Sequence, residues 1–194
     1  MRLLNQCLLV ATVLALTACG GGGGGDTPPA PTQASRLMYT DPSDAKAYRW
    51  MKDATLSTST HLVLYLSAPS GVNLHGVGFH LTVDGSKATW AKVVATDSTY
   101  LQNAAFNLGT GPQALVAKVT GSTLQGGIYQ KPVGTVPVVS TGQPLIRIAV
   151  DLAPATSPGP VTFQQLPGKG MALIAGSSVS PGNITVVLGA LQAQ

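Results

Sequence analysis

Glutamate is absent from the 194-residue sequence, and all seven acidic residues are aspartates. Every mechanism that requires a Glu as acid, base or metal ligand is therefore excluded. Charge of either sign is sparse: charged residues make up 9% of the chain, and eleven Lys and Arg against seven Asp leave a formal charge of +4. The basic residues are scattered and include no run that follows a phosphate backbone, so no nucleic-acid partner is expected. Cysteine occurs only twice, as Cys7 and Cys19. Both lie near the N-terminus, and the rest of the chain has no thiol. A disulfide framework, a cysteine-based zinc site and a cysteine nucleophile are thereby excluded. Long helices are not expected where helix-favouring charge is so scarce. Hydrophobic residues reach 44%, alongside 23 Gly and 14 Pro. That balance allows an ordinary buried core cut into short segments by turns.

Residues 1–18 have the build of an export signal. Arg2 gives a positive start, and Leu8 to Leu16 form an apolar stretch too short for a permanent membrane helix of about 20 residues. The stretch closes on Leu16-Thr17-Ala18-Cys19. That tetrapeptide resembles the lipobox of bacterial lipoproteins. The resemblance implies cleavage between Ala18 and Cys19, lipidation of Cys19 through its sulfur, and anchoring in a bacterial cell envelope. Gly20 after the cysteine, in place of Asp, implies the outer membrane. Each buried CH₂ contributes about 0.8 kcal/mol, so two or three acyl chains hold a domain firmly.

Residues 19–35 read as the lipidated Cys plus a tether. Gly20 to Gly25 are six consecutive glycines, and Asp26-Thr27-Pro28-Pro29-Ala30-Pro31 follows. Neither half buries enough apolar surface to offset its ordering entropy. The coil from Gly20 to Gln33 reaches roughly 20 Å.

Residues 36–194 read as one β-domain. Val77, Phe79, Leu81 and Val83 alternate with Gly78, His80, Thr82 and Asp84, as on a half-buried strand. Asp84-Gly85 is a hairpin corner in this reading, with Ala88 to Val94 returning antiparallel. Ile146, Ile148, Val150 and Leu152 form a second one-sided strand, while Leu62 to Leu66 is apolar on both faces and suits a central one. Further strands are expected at 113–120, 127–130, 136–139, 161–165, 171–175 and 184–188. Residues 43–52 fit either a helical turn or a leading strand. About nine to ten short strands separated by Gly and Pro turns predict an all-β jelly-roll sandwich.

The hydrophobic frame resembles the cohesin-like domain, related to some carbohydrate-binding modules. It is carried by Leu62–Leu66 with Ala68-Pro69-Ser70-Gly71-Val72, by Gly76 to Asp84, by Pro144 to Val150, and by Asn183 to Leu191. The resemblance implies a nine-stranded jelly roll and a role in binding or assembly. It does not extend to a dockerin as partner.

Sites of chemistry are few. Gly-x-Ser-x-Gly does not occur, and Asp84, Asp97 and Asp151 read as turn formers and solubilising charges rather than as paired catalytic carboxylates. Gly109-Thr110-Gly111-Pro112-Gln113-Ala114 matches a dinucleotide fingerprint in letters, but Pro112 and a strand-like segment follow where a helix is needed. His61, His75 and His80 do not share a spacing suited to a metal, no Asp-x-Asp-x-Asp loop is present, and no metal or cofactor is expected. Aromatic residues remain. Trp90, Tyr100 and Tyr129 are the candidate ligand-binding residues, each joining apolar area to a polar tip, with Trp50 beside them. Trp90 equally suits the core. Tyr129 sits in Gln125–Lys131, a segment expected at a sheet edge. The sequence thus predicts a non-enzymatic lipoprotein that displays a binding module for an envelope protein partner, or alternatively a polysaccharide-binding accessory module.

Overall fold

Period-2 runs of Val, Ile and Leu between Gly and Pro turns form strands because the alternation gives each segment one face to bury. In the computed structural model, which describes residues 32–109, 115–130, 136–174 and 181–194, those runs give an all-β structure. The expected signal segment, Cys19 and most of the tether lie outside the described residues, as do Thr110 to Ala114 and Lys131. The chain divides into Met1–Ala30 and Pro31–Gln194, and every described residue belongs to the second unit.

The strands in chain order are β1 (Leu37–Thr40), β2 (Tyr48–Lys52), β3 (His61–Ser67), β4 (Asn73–Val83), β5 (Ala88–Ala91), β6 (Gln102–Asn103), β7 (Leu115–Thr120), β8 (Thr123–Tyr129), β9 (Val138–Val139), β10 (Ile146–Leu152), β11 (Gly159–Val161), β12 (Phe163–Gln165), β13 (Met171–Ile174), β14 (Pro181–Asn183), β15 (Val186–Val187) and β16 (Ala190–Ala193). One layer runs β15-β2-β3-β10-β5, with β6 also on β10. The other runs β14-β13-β4-β8-β7, with β9 and β12 also on β4. A small sheet, β1-β16-β11, completes the body. All pairings are antiparallel except β15 on β2, which is parallel.

The two layers face each other across one core. Trp50, Leu62, Leu64, Leu66, Ile146 and Ile148 come from the first, and Val77, Phe79, Leu81, Leu124 and Ile128 from the second. Trp50 meets Phe79 edge to face, with centroids 5.1 Å apart. Each such side chain contributes about 1.5–3 kcal/mol on burial. β3 is apolar on both faces because its outer side is covered too, where Val63 is buried with Val93 and Ala149 and packs against Leu56. The small sheet is fastened to this body by Tyr39. Its phenol donates to the Trp50 carbonyl at 2.9 Å and accepts from the Gly189 amide at 2.7 Å. Burial raises the ionisation of that phenol far above the ordinary tyrosine value, so the hydroxyl keeps its proton.

The all-β jelly-roll sandwich read from the sequence is the fold observed, but several pairings differ from expectation. The segment after Asp84 does not fold back on β4. Asp84 closes a tight turn, accepting from the Lys87 and Ala88 amides at 3.0 and 2.9 Å, and the chain crosses to the opposite layer, where β5 pairs with β10. β4 has no free side to offer, since β8 occupies one flank and β12 and β13 the other. Gln125 to Tyr129 is not at a sheet edge, because β7 lies outside β8 and the two are joined at Gly121, whose φ of 57° makes the tight reversal. The run 161–165 is split at Thr162, so that β11 joins the small sheet and β12 joins β4. Residues 43–52 resolve into a turn at Ala45–Lys46 followed by β2. The strand expected over 184–188 shrinks to Val186–Val187. The sixteen short segments among the described residues exceed the expected ten because the run 161–165 divides in two and because β1, β2, β6, β14 and β16 lie outside the ten runs.

Candidate functional site

The outer face of the β7–β8–β4–β13 layer carries a groove whose floor is made of glycine. Register fixes its plan. Val116 on β7, Gly127 on β8, Gly78 on β4 and Met171 on β13 lie in one row across four strands, all facing outward. Three strand spacings of roughly 4.8 Å make this row about 14 Å long. On one side stands the row Tyr129–Gly76–Leu173; on the other stands Lys118–Gln125–His80. The trough between them holds about 300 Å³, and Lys169 also lines it.

Four glycines in this layer serve two different purposes. Gly126 points inward, and a Cβ there runs into the ring of Phe79, whose Cε2 and Cε1 lie 2.8 and 2.9 Å away. At Gly76 a Cβ meets Tyr129 Cβ at 2.6 Å, so Tyr129 leans over bare backbone. These two are required by packing. Gly78 and Gly127 are not: their nearest neighbours would lie at 3.8 and 3.6 Å, which is ordinary contact. Their lack of a side chain leaves room for something outside the chain. The rim residues are well exposed for apolar side chains, Val116 at 60%, Tyr129 at 48% and Met171 at 41%. An exposed apolar strip rimmed by Lys118, Lys169, His80 and Gln125 has the character of a recognition surface.

The three aromatic candidates do not form one site. Tyr129 is on the groove wall. Trp90 is 8% exposed, its indole N–H donates to the Ser122 carbonyl at 2.8 Å, and its ring packs against Phe163. It is a core residue for most of its surface. Tyr100 is half-buried on the far side of the sandwich, where it borders a cavity with His61, Lys92 and Asp151. Trp50 is fully buried. Of the histidines, His61 pairs with Asp151, His80 stands on the groove rim, and His75 is half-buried with its Nδ1 enclosed. His80 and Asp84 do not meet: the Asp84 carboxylate accepts from the Ser86 amide and hydroxyl, which hold it below the ordinary carboxylate range. Among the described residues, no three His, Cys, Asp or Glu side chains converge as metal ligands.

Of the residues singled out in the sequence, Tyr129 lies on the groove wall, whereas the glycine floor was not among them. The signal was present in Gly76-Val77-Gly78 and Gly126-Gly127, where strand-interior glycines stand in place of packed side chains.

No family model and no curated protein matches the chain. Among solved structures, it is similar to the sixth cohesin of scaffoldin B from Acetivibrio cellulolyticus, solved in complex with a dockerin. The two share 14% identity over 74% of this chain and 96% of that one, with a TM-score of 0.46. The seventh ScaB type I cohesin from Pseudobacteroides cellulosolvens is similar at 10% identity, covering 74% and 88%, with a TM-score of 0.47. A type II cohesin domain from the cellulosome of Acetivibrio cellulolyticus gives 10%, 75% and 93%, and a TM-score of 0.45. Each likeness concerns the course of the backbone.

Proposed function

We propose that the chain is a non-enzymatic binding module, held by lipid on Cys19 at the outer membrane of a bacterial envelope, which takes a partner protein of that envelope on its β7–β8–β4–β13 face. The observation that carries the binding role is the groove over Gly127 and Gly78, whose glycines satisfy no packing need of the fold. Its broad opening along a sheet suits the ridge of another protein. Tyr129, large and rigid with a polar tip, is the natural anchor in such an interface.

The lipid part is read from Leu16 to Cys19 and has its own test. Labelled palmitate is expected to enter the wild-type chain in the native host and not the Cys19→Ser variant, which then leaves the membrane fraction. The binding part is tested by purifying the full chain with its partners from envelope extracts. Gly127→Val, which fills the floor and leaves the strand intact, is expected to reduce recovery of a defined partner about tenfold, the equivalent of one good contact. Equal recovery with both chains removes the groove from the function.

A further inference from the structure

The opposite layer carries a second concavity, unconnected with the groove. His61 on β3 lies directly across from Asp151 on β10 in the strand register. The His61 ring spans two acceptors, with Nδ1 on the Asp151 carboxylate at 2.5 Å and Nε2 on the Val93 carbonyl at 3.1 Å. It thereby ties the segment after β5 to the outer surface of the layer. That segment is stiffened further along, where Asp97 accepts from the Val94 amide at 3.0 Å and its own amide donates to the Val94 carbonyl. Between the segment and the strands is an open cavity of about 620 Å³, lined by His61, Ala91, Lys92, Val93, Tyr100 and Asp151 and bordered by Trp90.

Three of the lining residues carry polar groups with no hydrogen-bond partner among the described residues: the Lys92 ammonium, the Tyr100 hydroxyl and the second oxygen of Asp151. One is a cationic donor, one an anionic acceptor and one can act either way. Lys92 brings a cationic donor and Asp151 an anionic acceptor to the same cavity, so a ligand that both donates and accepts hydrogen bonds engages the pair better than a simple anion or cation. Vicinal hydroxyls match the set, donating to the Asp151 oxygen and accepting from Lys92. Ala91 and the Tyr100 ring supply apolar area for the C–H face of a sugar ring. The volume lies within the range of small-molecule sites, about 300–1,000 Å³.

The geometry points to this cavity as a binding site for a short neutral saccharide, with Tyr100 as the apolar platform, Asp151 and Lys92 as the hydroxyl-reading pair, and His61 as the residue that positions Asp151. The site is independent of the groove, and its test separates the two. The full chain, labelled with ¹⁵N, is titrated separately with cellobiose, maltose and N,N′-diacetylchitobiose at millimolar concentration. At least one disaccharide is expected to shift the amides of Ala91 to Ala95 and Asp151 saturably. Lys92→Ala and Tyr100→Ala are each expected to weaken that binding about tenfold, the loss of one hydrogen bond or stacking contact. Gly127→Val is expected to leave it unchanged. Lys92 is the safer substitution, being outside the core, and it decides the matter if Tyr100→Ala unfolds. The proposal is overturned if none of the three sugars moves those amides, or if binding survives Lys92→Ala undiminished.

Discussion

Gly126→Ala is expected to destabilise the protein by about 1–3 kcal/mol, the usual range for overpacking a filled core, while the same change at Gly127 is expected to stabilise it by about 0.5–1 kcal/mol. The two residues are neighbours on one strand and differ only in which way they face. At Gly126 the new methyl occupies space held by the Phe79 ring. Phe79 is 2% exposed and bears edge-on against Trp50, itself fully buried, so the ring has nowhere to retreat. Either the ring leaves its rotamer or β8 moves off β4. At Gly127 the methyl points outward, its nearest neighbours being the Val77 carbonyl oxygen at 3.6 Å and Gly78 Cα at 3.7 Å. No clash offsets the lower entropy of the unfolded chain. Urea denaturation of the two variants measures both signs. Equal effects at the two positions would mean that the alternation of β8 is not as described.

The second large effect concerns Asp53 and Arg147. Arg147 Nε donates to Asp53 Oδ2 at 2.8 Å, and Asp53 Oδ1 accepts from the Thr55 hydroxyl at 2.6 Å and the Thr55 amide at 3.1 Å. Burial acts to raise the Asp53 carboxyl, but the Thr55 hydroxyl, the Arg147 hydrogen bond and charge and the Thr55 amide together outweigh it and hold the group below the ordinary carboxylate range. Because the folded value lies below the unfolded one, the stabilisation is fully present above the unfolded value of about 3.9 and is lost as pH falls through the folded value. Arg147→Met leaves the carboxylate with Thr55 alone. Removing one partner of a fully buried pair costs about 3–5 kcal/mol. Arg147 keeps 23% of its side chain in water, so about 2–3 kcal/mol is expected at neutral pH. The variant is also expected to lose less stability than the wild type between neutral pH and about pH 3. Denaturant midpoints across that range measure the cost and the slope. A parallel pair of pH curves would show that the ion pair contributes nothing to the acid response.

The strands were most legible where the sequence states a face directly. Ile146 to Leu152 alternates cleanly and is β10; Leu62 to Leu66 is apolar throughout and lies between β2 and β10. Neighbours were much less legible. Period-2 patterning assigns a side chain to one face or the other and does not say which strand lies alongside. Ala88 to Ala91 therefore looked like the return arm of a hairpin, although it crosses to the other layer. Gln125 to Tyr129 looked like an edge because nothing local marks Leu115 to Thr120 as the strand outside it. The groove was hidden for a different reason: its floor consists of missing side chains, and glycine in a sequence reads first as a turn. Tyr129 stood out because a large aromatic beside two glycines has little of its own chain to pack on. Trp90 and Tyr100 carried the same chemical signal, and only the fold separates the buried one from the half-exposed one.

Thr162 divides a single extended run between the small sheet and the β4 layer. A break of that kind acts as a stitch. Peeling β11 from β16 drags on Phe163 and hence on β4, so neither sheet is free to fray without loosening the other. Amide protons of Val161 and Phe163 should then exchange with solvent at similar rates and through a shared opening event. Subdividing the β-domain into smaller autonomous pieces is correspondingly unpromising at that junction.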